Sequence, residues 1–71
     1  MEATYYVIAI SYGQNTEYWN SSLVNDECTT KNIEGAEGFE TIEAAQKELE
    51  NSVKPLGIEK GWNVSYSIDE V

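Results

Sequence analysis

Two stretches of strict two-residue alternation stand near the two ends of the chain, with a single helical stripe between them. In the first, Thr4 to Tyr12, the residues Tyr6, Ile8, Ile10 and Tyr12 fall on one face, and Tyr5, Val7, Ala9 and Ser11 on the other. In the second, Trp62, Val64, Tyr66 and Ile68 alternate with Asn63, Ser65, Ser67 and Asp69. Successive side chains of a strand point to opposite faces. The first stretch, bulky on both sides, therefore suits a central strand, and the second suits a strand with one face in water. Between them Thr41 is a good N-cap, and Ile42, Ala45, Leu49, Val53 and Leu56 recur at helical spacing. This predicts a helix from Ile42 to Lys54, ended by Pro55, which has no N–H to continue the ladder.

The remaining segments are weaker. The polar turn Gly13-Gln14-Asn15-Thr16 predicts a hairpin into a short second strand at Glu17 to Asn20. Cys28 to Ile33 is β-branched enough for an edge strand, and Asn32 to Gly38 is an acidic loop punctuated by glycine. The expected fold is α+β: a small antiparallel or mixed sheet of three to four strands with one helix packed on one face. A chain of 71 residues holds one such domain, spanning 1–71. Its core is expected to be thin, since a domain of this size buries only about 60% of the surface its unfolded chain exposes.

Composition narrows the chemistry. There are 13 Asp and Glu against 4 Lys, no Arg and no His, for a formal net charge of −9. Without His there is no Ser-His or Cys-His pair and no imidazole ligand for a metal; without Arg there is no bidentate fork for phosphate or carboxylate. The expectation is a protein that is not an enzyme and carries no cofactor or metal. An acidic chain meets nucleic acid and anionic membranes through a repulsive field, so direct contact with either is not expected. The charged partner should be a protein with a basic surface. A lone Cys28 fits a reducing, cytoplasmic setting. No leader is expected, because Glu2 stands where a signal peptide has Lys or Arg, and the apolar run Tyr5 to Ile10 is too short for an export signal or a membrane span.

Acids concentrate between Glu34 and Glu50, where six carboxylates and Lys47 leave a local net charge of −5. Near a helix N-terminus such acids complement the helix dipole. They also suit a surface that meets Lys and Arg, with Asp26 and Glu27 as further charges. Glu34, Glu37, Glu40 and Glu43 are the candidate partner-binding acids. A calcium loop is excluded at Asn32 to Glu37, which lacks the alternating oxygen ligands and terminal Glu. One helix covers one face of a sheet, so Tyr5, Val7 and one of Tyr18 or Trp19 are expected on the open face, as aromatic anchors for a partner or for a homodimer.

The strand Tyr5 to Tyr12, the capped helix from Thr41 to Leu49 and the closing strand Trp62 to Ile68 resemble, in size, charge and layout, short acidic proteins encoded by phages and other mobile elements. Anti-CRISPR-type inhibitors of host defence are among these. The resemblance implies a cytoplasmic, non-enzymatic protein that binds a host nucleoprotein machine and blocks nucleic-acid loading or nuclease action. It carries no diagnostic motif and assigns no residue a role. The alternative from composition and layout alone is a small structural or regulatory module that homodimerises or docks on a larger subunit through its open sheet face.

Overall fold

A computed structural model describes residues 4–23 and 28–71. Asp26 and Glu27 lie outside the described residues. The strands are β1 (Tyr6–Tyr12), β2 (Asn15–Trp19), β3 (Thr29–Thr30) and β4 (Ser65–Glu70). They form one sheet in the order β3-β2-β1-β4, antiparallel throughout. The α+β expectation therefore holds, with the antiparallel arrangement and β1 in the interior of the sheet.

The hairpin is tighter than its polar sequence suggests. Tyr12 pairs with Asn15 across a two-residue turn, and Gly13 there has φ 60°. This is the arrangement in which glycine takes the first central position and the turn follows the natural strand twist. Counting from that turn puts Glu17 opposite Ile10 and Tyr18 opposite Ala9.

The helical rod consists of α1 (Ile42–Glu48), a π-helical turn (Leu49–Val53) and α2 (Lys54–Lys60). Thr41 caps it, its hydroxyl accepting the Ala44 N–H at 3.1 Å. Pro55 does not end it, which corrects the expected stop at Lys54. The Lys54 N–H bonds to the Leu49 carbonyl, five residues back. The widened turn relieves the crowding a proline ring imposes on the preceding turn, and Pro55 then sits in the first turn of α2, where its N–H is not needed. The helix stops instead at Gly61, with φ 72° in the left-handed region, and the Trp62 N–H returns to the Gly57 carbonyl at 2.8 Å.

The π turn also sets which side faces the sheet. The buried positions are Ala45, Leu49, Val53 and Gly57, a strict four-residue interval. An α-helix advances about 100° per residue, so twelve residues at that interval would drift by roughly 120°. One wide turn in the middle removes much of the drift. Ile42 falls off this line and is 45% exposed. A Cβ at Gly57 would stand 2.3 Å from the Tyr66 hydroxyl and 3.1 Å from the Trp62 ring, so the missing side chain lets α2 close on β4.

Ile8, Ile10 and Trp19 from the sheet meet Ala45, Leu49 and Val53 from the helix, with Tyr66, Val64 and Ile68 partly buried around them. On the other face Val7 and Ala9 are 3% and 2% exposed, flanked in register by Asp69, Ser67 and Tyr18.

Candidate functional site

The expected site residues divide among different jobs. Trp19 is corrected outright: it is 3% exposed, and its indole N–H donates to the Glu48 carboxylate at 3.0 Å. The two-residue turn puts it on the face of Ile10, toward the helix, and leaves Tyr18 as the aromatic on the open face. Glu37 binds its own chain, one carboxylate oxygen accepting both the Ser21 N–H at 3.0 Å and the Ser21 hydroxyl at 2.8 Å. Glu34 is exposed in a 3-10 turn at Ile33–Gly35, away from the helix start. Glu50 pairs with Lys54 at 2.6 Å. The run Glu34 to Glu50 is therefore no single surface.

A different set of acids comes together. Tyr6 is bridged to Phe39 and also registered with Glu70, which brings the helix start and the end of β4 to the same end of β1. The Tyr6 N–H donates to the Phe39 carbonyl and the Phe39 N–H to that of Tyr6, both at 2.8 Å. Glu40 and Glu43, beside and within the first helical turn, thus share this end with Asp69 and Glu70, and all four are exposed. Tyr5 immediately precedes β1 at this end. It is 47% exposed, packs along Gly38, and is tied to Val71 by a 2.8 Å backbone bond. Asp69 and Glu70 were missed in sequence because only the pairing across β1 joins them to the helix.

The opposite end of the sheet carries a recess of about 390 Å³ under the helix-to-β4 connection. Ile10 and Val64 supply apolar wall, Tyr12 and Trp62 supply rings, and Glu17 supplies a carboxylate beside Thr29. The Thr29 hydroxyl donates to Glu17 Oε1 at 2.6 Å, and the Tyr12 hydroxyl donates to Oε2. Those two bonds, Thr29 first, hold the Glu17 carboxyl below its ordinary value of 4.5; partial burial works against them and the charge of Lys31 adds to them. A carboxyl lowered in this way stabilises the fold above the ordinary carboxylate range, and the benefit is lost as pH falls through the lowered value. Glu17→Gln should therefore be less stable than the parent at neutral pH, with a gap that narrows on acidification below 4.5. Urea melts at several pH values check this, and a gap that does not vary with pH would contradict it.

Among the described residues no group of three acids or thiols is placed to hold a metal ion. No described helix is long and apolar enough to cross a membrane. No protein-family model, curated protein or solved structure matches the chain.

Proposed function

We propose that the chain is a stoichiometric, non-enzymatic inhibitor that binds a nucleic-acid-handling complex in the cytoplasm, in the manner of an anti-CRISPR protein. In this reading it presents its acidic end to a basic surface. One observation carries it: Tyr5, an exposed aromatic, stands at the end of β1 where Tyr6 pairs with Phe39 and Glu70, so Glu40, Glu43, Asp69 and Glu70 come from distant parts of the sequence to that same end. An aromatic anchor within a charged rim is a composition that interfaces favour. The acids would compete with nucleic acid for the same Lys and Arg, and would steer association through a field that salt screens over about 8 Å at physiological ionic strength.

The alternative module, assembled through the sheet face, has less to work with. Val7 and Ala9 are already buried there, which leaves Tyr18 and Tyr5 without an exposed apolar patch between them. The outer edge of β4 is open to pairing, but Asp69 and Glu70 lie on it, and charged residues on an edge strand oppose self-association.

The test is cross-linking capture from a host lysate, followed by association kinetics with the purified partner. The partner should be a nucleic-acid-binding protein, and its nucleic acid should displace the chain. Glu40→Gln, Glu43→Gln, Asp69→Asn and Glu70→Gln together should slow association about tenfold or more at low salt, with a smaller effect at high salt. A partner that holds both the chain and its nucleic acid at once, or binds the neutralised variant at the parent rate, would refute the mechanism.

A further inference from the structure

We propose that the recess at the far end of the sheet receives the side chain of an arginine from a protein partner. The recess holds one negative charge, that of Glu17. The Glu17 carboxylate is hydrogen-bonded by Thr29 and Tyr12, and both are neutral donors that leave its negative charge in place. Lys31 acts on Glu17 through its charge but forms no ion pair with it, since among the described residues the sole ion pair joins Lys54 to Glu50.

Around this charge the surfaces are apolar or aromatic: Ile10, Val64, Tyr12 and Trp62. An anionic ligand would be repelled. A neutral apolar one would strip water from the carboxylate and return nothing for it. A cation on an apolar stem satisfies both requirements, because the head meets the carboxylate and the stem lies against the aliphatic wall. Between the two cationic side chains, guanidinium is the better match. It is planar, stacks on aromatic rings and sheds water more readily than an ammonium group. The volume, about 390 Å³, lies at the small end of ligand recesses, which run from about 300 to 1,000 Å³.

Placement supports the same assignment. Glu17 shares its strand face with Trp19 and Ile10, so the chain sets a carboxylate on the helix-facing side of the sheet, where the neighbouring positions are core. Trp62 is fixed by its backbone bond to Gly57, which gives the recess a wall anchored to α2. The site is separate from the acidic end and does not depend on the function proposed for it.

The experiment is an NMR titration of the full ¹⁵N-labelled chain with N-acetyl-arginine-methylamide, and in parallel with the citrulline analogue. Citrulline keeps the stem and the planar head but lacks the charge. Arginine should produce saturable shifts at the Trp62 indole and at the Thr29 and Asn63 amides. The citrulline analogue should bind about tenfold more weakly, since charge-assisted hydrogen bonds are roughly twice as strong as neutral ones. Glu17→Gln should weaken arginine binding to a similar extent. If that variant fails to fold, the comparison of the two ligands on the parent chain decides alone. The variant neutralised at Glu40, Glu43, Asp69 and Glu70 should bind arginine as the parent does. Equal affinity for the two ligands, no saturable shift at the recess, or loss of binding in the neutralised variant would each overturn the assignment.

Discussion

Trp19→Ala is expected to cost about 3 to 5 kcal/mol, the range for removing a large buried aromatic. For 71 residues the whole stability should be about 4 to 11 kcal/mol, so the substitution should remove from about a quarter to the whole of it. Two losses combine. The ring leaves a void against Ile8, Leu49 and Val53, and the half-buried Glu48 carboxylate loses its indole donor. Trp19→Phe separates them, because it keeps most of the packing and removes only the hydrogen bond. It should cost about 1 to 3 kcal/mol. Urea denaturation followed by circular dichroism measures both. An unchanged midpoint for Trp19→Ala would place the ring outside the core and return it to the surface.

Leu49→Ala should cost about 2 to 5 kcal/mol. Leu49 begins the π turn and is buried in the main cluster, so its removal opens the contact between helix and sheet at the centre of the rod. The sheet has little besides this helix to cover Ile8 and Ile10, and the loss should appear as a lower midpoint for the whole domain. A thermal midpoint equal to that of the parent would mean that the helix does not pack through this residue.

Both substitutions bear on what was legible in the sequence. β1, the Ser65–Ile68 part of β4 and the burial of Leu49 and Val53 follow from periodicity, which is a local property; the expected strand start at Trp62 does not hold, because Trp62 is drawn back to Gly57 at the helix end and β4 runs from Ser65 to Glu70. The face of Trp19 was also recoverable. Its signal was the parity of the hairpin turn, since a two-residue turn after Tyr12 places Glu17 opposite Ile10 and sends Trp19 inward. A turn of two residues or of four gives the same parity, so either length sends Trp19 inward; the miss was to leave Tyr18 and Trp19 open instead of carrying that parity along the strand. The same parity would have identified Glu17 as a carboxylate on the core-facing side. The helix past Pro55 was hidden because a proline normally marks a stop, although the four-residue spacing of Ala45, Leu49, Val53 and Gly57 is longer than an α-helix keeps. The acidic end was not legible at all. It depends on Tyr6 pairing with Phe39 on one side and Glu70 on the other, contacts between residues far apart in the chain.

The wide turn at Leu49–Val53 makes the number of residues in the rod a determinant of shape at a distance. The wide turn already absorbs one residue beyond a uniform α-helix, so inserting a further residue would rotate everything after it by about 100° relative to the sheet. Gly57 would swing away from Tyr66, and a residue with a side chain would arrive where only hydrogen fits. Trp62 is tethered to Gly57 and would move with it, taking one aromatic wall of the recess. A change that touches neither Glu17 nor Trp62 would thus reshape the recess, so this fold should tolerate many substitutions on the outer face of the helix but few insertions along it.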